Sequence, residues 1–98
     1  MKTHELKTWP SYFEAIQKRE KLFEVRKNDR DFSVGDKLRL REFDPGKDAV
    51  INDWKYTKRE QTVIVTSILH GGQFGIEPGY CVMSIAHPVE TQNDKIHP

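Results

Sequence analysis

Residues 21–32 have the sequence KLFEVRKNDRDF, which combines a short strand with a charged loop. Side chains alternate between the two faces of a strand. Phe23 and Val25 are therefore predicted to share one face, and Glu24 and Arg26 the other. A carboxylate and a guanidinium on one short element form either a structural ion pair or a polar ligand site.

Length and composition predict a single domain with one modest core. Of the 98 residues, 32% are charged, yet the formal net charge is only +1. No global field then draws the chain to nucleic acid or to a membrane, so electrostatic binding requires a local patch. No apolar run approaches the roughly 20 residues that cross a bilayer, and the N-terminus does not resemble a signal peptide. We predict a cytoplasmic protein without a membrane partner.

The N-terminal region predicts a short strand, over residues 4–7, that leads into the one clear helix of the chain. Pro10 suits the first turn of that helix, and Thr8 or Ser11 is the predicted N-cap. Trp9 lies at the helix entry, where its ring is also placed to line a cleft. Four apolar residues recur at helical spacing and predict the buried face of the helix: Trp9, Tyr12, Phe13 and Ile16.

Three later segments predict strands. Residues 37–43 alternate, with Leu38 and Leu40 predicted to face the core. Residues 62–69 are rich in β-branched residues and apolar on both faces, which indicates a central strand covered on both sides. Residues 80–85 predict the last strand.

The connections predict the domain limits. Gly35 marks a tight turn before the strand at 37–43. Residues 45–58 have weak periodicity and predict a loop that folds back or a short strand. Residues 87–98 lack a pattern and predict a disordered tail, which leaves one domain over residues 1–86.

Helix and strands do not alternate along the chain, which argues against a doubly wound parallel sheet. The pattern predicts an α+β, mainly β fold: a small mixed β-barrel of five or six strands, with one N-terminal helix packed at its end. Cys81 lies alone in an apolar run and is predicted to be a buried hydrophobic residue. The four histidines are dispersed, so neither a metal site nor a cofactor is predicted, and only His70 is expected near a cleft.

Several segments together resemble a small bacterial and phage family of ASCH domains, within the PUA-like superfamily. The segments are HELK at 4–7, KLFEVRKNDR at 21–30, VGD at 34–36, LRE at 40–42, ILHGG at 68–72 and GY at 79–80. The resemblance covers residues 4–86 and implies a PUA-like β-barrel with a cleft beside the helix. It also implies an RNA, nucleotide or modified-base ligand.

The same superfamily includes amidohydrolases that remove the acetyl group from acetylated cytidine. The resemblance to these enzymes rests on a Lys, a Thr three positions later and a Glu much later in the chain. Lys21 matches the Lys, whereas Glu24 occupies the Thr position. Glu77 is the candidate for the later Glu.

Binding of RNA or a nucleotide is the leading functional hypothesis. Glu24 would accept a hydrogen bond from an exocyclic amine, while Trp9 or Phe74 would stack on a base and His70 would border the cleft. Five basic residues would contact phosphates or base edges: Lys7, Lys21, Arg26, Lys27 and Arg30.

Two alternatives remain open. In a hydrolase of acetylated cytidine, Lys21 would be a base or nucleophile and Glu24 a general acid/base. In a structural, protein-interaction domain, the charged residues would pair with one another and hold the loop on the barrel: Glu24, Arg26, Asp29, Arg30, Asp36 and Glu42. The oligomeric state is not predicted.

Overall fold

The computed structural model describes residues 1–47 and 52–88. In these residues it has five strands, one α-helix and a short 3₁₀ helix at Asn52–Lys55. The elements are β1 (Thr3–Thr8), α1 (Pro10–Gln17), β2 (Phe23–Lys27), β3 (Lys37–Phe43), β4 (Tyr56–His70) and β5 (Tyr80–Ala86).

The five strands form one mixed sheet in the order β1-β3-β4-β5-β2. β1 pairs with β3 in parallel, and the other three pairs are antiparallel. The sheet curves into a half-barrel, which leaves β1 and β2 as its two edges. The predicted α+β, mainly β fold, with about five strands and one N-terminal helix, is confirmed.

The hydrophobic core lies against the concave face of the sheet. Leu38, Leu40 and Cys81 are fully buried there, as predicted. Burial also raises the pKa of the Cys81 thiol, which disfavours the reactive thiolate. The rest of the main core cluster comes from β1, β4 and β5, from α1 and from one loop residue: Leu6, Phe13, Ile16, Phe32, Val63, Val65, Met83 and Ile85.

β4 is the central strand, as predicted, but the prediction that both its faces are covered is wrong. Val63 and Val65 are buried, whereas Thr66 and Leu69 are exposed on the same strand. The helix covers one side of a single curved sheet, and the β-branched residues on the other side face solvent. β4 also begins earlier than predicted, at Tyr56.

The helix begins without a side-chain cap, so the predicted caps Thr8 and Ser11 are wrong. Thr8 is the last residue of β1, and the extended backbone continues through Trp9, which is the N-cap. Pro10 then opens the helix, as predicted, and Ser11 lies inside it. This abrupt strand-to-helix junction leaves the ring of Trp9 more than half exposed.

Two predicted irregular segments are described only in part. His87 begins the predicted tail, but its Nε2–H donates to the carbonyl oxygen of Ile16 at 2.9 Å and so attaches to α1. The predicted tail from residue 89 onward lies outside the described residues, as does the part of the predicted loop at 48–51. In the described parts of the chain, no helix is long and apolar enough to cross a membrane.

Candidate functional site

The candidate site lies at the seam, by which we mean the gap between the edge strands β1 and β2. A cleft of about 630 Å³, here called the main cleft, opens at the end of the seam next to α1. This volume is within the range of about 300–1,000 Å³ that is typical of small-molecule sites. Its lining residues are Lys7, Thr8, Trp9, Tyr12, Lys21, Phe23, Glu24, Val25 and Arg26.

A charged cluster forms the floor of the main cleft. The Glu24 side chain is 5% exposed, because strand alternation places it beside the buried Met83 of β5. Its Oε1 accepts from Lys21 Nζ and its Oε2 from Arg26 Nε, each at 2.8 Å. A buried carboxylate is tolerated only when it is paired in this way. We call these three residues the Lys21–Glu24–Arg26 cluster.

Aromatic rings hold one side of this cluster. The Lys21 ammonium lies 4.8 Å from the centre of the Phe23 ring and 5.4 Å from that of Tyr12. Both distances are within cation–π range. Tyr12 and Trp9 are more than half exposed. They therefore offer flat apolar surfaces at the mouth of the main cleft. Trp9 was expected to be able to line a cleft, whereas the prediction that Tyr12 joins the core is wrong.

Thr8 adds an unusual group to the main cleft. Its side chain is buried, yet its Oγ1 has no hydrogen-bond partner within residues 1–47 and 52–88. Leaving a buried hydroxyl unsatisfied costs about 1–3 kcal/mol, so each such group in a native protein calls for an explanation. The alternation of side chains along β1 could have indicated that Thr8 is buried, because Thr8 follows His4 and Leu6 on the buried face of this strand.

Two arginines close the seam in place of a backbone ladder. Arg26 Nη2 donates to the carbonyl oxygen of Lys7, and Arg30 Nη1 donates to that of Glu5, both at 2.7 Å. These carbonyls belong to the free edge of β1, which would otherwise be exposed to other chains. Arg26 and Arg30 therefore have a structural role besides the predicted ligand contacts.

A smaller cavity of about 260 Å³, here called the second cleft, lies further along the seam. Lys7 and Arg26 line both clefts. The Arg26–Lys7 hydrogen bond therefore marks the boundary between them. The complete lining of the second cleft is Glu5, Leu6, Lys7, Arg26, Arg30, Arg41 and Tyr56.

The structure brings together most of the predicted site residues. Lys7, Trp9, Lys21, Glu24 and Arg26 line the main cleft, and Arg30 lines the second cleft. The lining residues that were not predicted as site residues are Glu5, Leu6, Thr8, Tyr12, Phe23, Val25, Arg41 and Tyr56.

Four other predicted candidates lie outside both clefts. Lys27 and His70 are exposed at strand ends, and Glu77 is exposed in the β4–β5 connection. Phe74 lies in the same connection and is 84% exposed. The expected position of His70 beside the cleft is therefore wrong: His70 ends β4, two strands away from β2 in the sheet.

The predicted charge pairing is present in part. Glu24 pairs with Arg26, but Asp36 pairs with His4, whose Nε2 lies 2.9 Å from Asp36 Oδ2. Hydrogen bonds from the Lys2 backbone N–H, from His4 and from the Ser33 backbone N–H lower the pKa of Asp36 to about 2. This buried pair lies outside both clefts and fastens the start of β1 to the turn before β3.

Comparison with family models identifies the family to which the chain belongs. A family described as a domain of unknown function, DUF3850, matches residues 3–85. The chain belongs to this family. The match includes every residue that lines either cleft of this DUF3850 domain. Comparison with curated proteins gives no match. Among the described residues of the DUF3850 domain, no three His, Cys, Asp or Glu side chains are grouped to hold a metal ion.

Proposed function

We propose that the main cleft binds a nucleobase, as part of an RNA, a nucleotide or a nucleoside. The observation that carries the proposal is a buried carboxylate, Glu24, held between two cations in a cleft with exposed aromatic rings. We also propose that the domain is an ASCH-type member of the PUA-like superfamily. The mixed half-barrel and the cleft beside the N-terminal helix support that second proposal.

The Lys21–Glu24–Arg26 cluster retains capacity for a ligand. A carboxylate has about four lone-pair sites, and Glu24 uses two of them within the cluster. The remaining sites can accept from the exocyclic amine of a base. The Lys21 ammonium has three N–H donors, of which the Phe23 carbonyl oxygen and Glu24 take two. The third can donate to a base carbonyl.

Stacking would supply much of the affinity. Trp9 and Tyr12 expose their rings at the mouth of the main cleft. Stacking of a base on an aromatic ring contributes roughly 1–3 kcal/mol. Together these groups recognise a flat, polar-edged ring better than an aliphatic or a peptide ligand.

Tryptophan fluorescence provides the test. The chain has two tryptophans, so Trp54→Phe leaves Trp9 in the main cleft as the only one. In that background we expect nucleosides, nucleotides or short RNA to quench the emission with saturation. Glu24→Gln should weaken binding at least tenfold, whereas Glu20→Gln, at an exposed site outside both clefts, should not. Absence of saturable binding at millimolar ligand, by fluorescence and by calorimetry, would refute the proposal.

A second candidate function is the removal of an acetyl group from acetylated cytidine. Thr8 favours it, because this residue lines the same cleft as Lys21 and Glu24. The same three side-chain types thus meet here, although Glu24 stands where the related enzymes have Thr. In the reaction, water adds to the acetyl carbonyl, the amide C–N bond breaks, and acetate and cytidine are released. Lys21 and Glu24 would act as the base or nucleophile and the general acid/base.

Product analysis separates this enzyme from a binding module. We expect the wild-type chain to release equal amounts of cytidine and acetate from acetylcytidine, and Glu24→Gln or Lys21→Ala to reduce the rate at least a hundredfold. Glu20→Gln, at an exposed site outside both clefts, is the matched control. If the wild-type chain binds acetylcytidine without turnover at high protein concentration, the hydrolase is excluded and the binding module stands.

A further inference from the structure

We propose that the second cleft is an anion subsite that receives a phosphate group of the ligand. The inference rests on the proposed function of the main cleft and specifies it. The ligand is then a nucleotide or a phosphodiester-linked residue of RNA, and not a free nucleoside.

The first argument is local charge. The second cleft is lined by four cationic side chains and one carboxylate, whereas the whole chain carries a net charge of only +1. The carboxylate belongs to Glu5, and its Oε2 accepts from Arg39 Nη1 at 2.8 Å. This is a concentrated positive patch, and concave positive patches attract anions by focusing the field.

The second argument concerns how the cations are held. The Lys7 ammonium lies 4.7 Å from the centre of the Phe43 ring, and the Arg41 guanidinium lies 4.1 Å from that of Tyr56. An aromatic ring orients a cation without using up its N–H groups. Lys7 has no carboxylate within 4 Å among the described residues, so its N–H groups remain free for an anion.

The three arginines of the second cleft differ in how far they are neutralised. Arg26 is paired with Glu24 at 2.8 Å. Arg41 Nε lies 3.3 Å from Glu60 Oε2, so this cation is partly balanced. Arg30 donates from Nη1 to the Glu5 carbonyl oxygen, and its other N–H groups have no partner in residues 1–47 and 52–88. Arginine can give two parallel N–H bonds to phosphate oxygens. Arg30 is therefore the best-placed donor of the four.

The third argument is continuity along the seam. Lys7 and Arg26 line both clefts, and Arg26 donates a hydrogen bond to the Lys7 carbonyl oxygen where the two spaces adjoin. A ligand whose base stacks near Trp9 and bonds to Glu24 can therefore extend past Arg26 toward Arg30. A base is joined to its phosphate through a sugar, so the two chemically different clefts match the two ends of one nucleotide.

The test compares nucleosides with their 5′- and 3′-monophosphates in the Trp54→Phe chain. We expect the preferred monophosphate to bind at least tenfold more tightly than its nucleoside. Arg41→Gln and Lys7→Gln should each remove most of that advantage. Arg41→Gln should leave nucleoside affinity unchanged, because Arg41 lines the second cleft only. Lys37→Gln, at an exposed site on β3 and outside both clefts, is the control.

The outcomes separate this inference from the proposed function. Equal affinities for nucleoside and monophosphate would overturn the phosphate subsite and leave the proposed function intact. Binding of inorganic phosphate that Arg41→Gln abolishes, without any nucleoside binding, would support the subsite and overturn the base-binding main cleft. If neither nucleosides, monophosphates nor phosphate bind, both proposals fail. Thermal melts of each variant show whether a loss reflects unfolding.

Discussion

Replacing Thr8 by valine should make the protein more stable. Valine has the shape of threonine with a methyl group in place of the hydroxyl. The Thr8 side chain is buried, and its Oγ1 has no partner in the described chain, so the substitution removes an unsatisfied polar atom. Removing a buried hydroxyl that lacks a hydrogen bond should recover roughly 1–3 kcal/mol of unfolding free energy.

The expected shift is large enough to measure. For a domain of about 100 residues, 1 kcal/mol moves the melting temperature by roughly 4–8 °C. We therefore expect Thr8→Val to melt at least about 4 °C above the wild type, by circular dichroism at pH 7.

A second threonine gives the matched control with the opposite sign. The Thr57 hydroxyl donates to Glu42 Oε1 at 2.6 Å, and Glu42 is buried. Thr57→Val should destabilise the protein by about 1–3 kcal/mol, because it deprives a buried carboxylate of its donor. The reasoning is refuted if Thr8→Val lowers the melting temperature as Thr57→Val does, since Thr8 would then have a partner in the free protein.

Three further substitutions test the fold. The pKa of Asp36 is lowered from an ordinary 3.8 to about 2, which gives roughly 2 kcal/mol of stability above pH 4 that is lost as the pH falls toward 2. Denaturation measured from pH 5 to pH 2 should show this loss in the wild type and not in Asp36→Asn. Gly71→Ala should lower the unfolding free energy, measured by urea denaturation, by about 1–3 kcal/mol, because its Cβ would lie 2.0 Å from the Glu77 carbonyl oxygen. Gly46→Ala is the control: the nearest atom to its Cβ is 3.5 Å away, so its unfolding free energy should stay within about 0.5 kcal/mol of the wild type. Arg26→Lys should lower the unfolding free energy by about 1–3 kcal/mol, since a lysine cannot bond to Glu24 and to the Lys7 carbonyl oxygen at the same time. An equal loss in the exposed Arg19→Lys would contradict that role.

Local patterns predicted the elements that face the core. Alternation placed Leu38 and Leu40 correctly inside, and it placed Glu24 and Arg26 on one face of β2. These outcomes depend only on the two-residue period of a strand. The exposure of one face of β4 was not predictable in this way, because it depends on whether a second layer covers that face.

The site was predictable where it is local and not where it is assembled. Lys21, Glu24 and Arg26 lie within six residues of each other, so the sequence indicated their cluster. Arg41 and Tyr56 join the second cleft only because β3 pairs with both β1 and β4. The sequence contains no local signal of that pairing. His70 was misplaced for the same reason, since its distance from β2 depends on the strand order.

The strand order also explains why both clefts lie at the seam. A five-stranded sheet that curves only into a half-barrel leaves two edges facing each other, and unpaired edges invite association with other chains. Arg26 and Arg30 bond to β1 carbonyls and so protect that edge with side chains. Side-chain bridges leave space between the strands, whereas a backbone ladder would close it to about 4.8 Å. The same residues that close the half-barrel therefore make its seam wide, positively charged and open to a ligand.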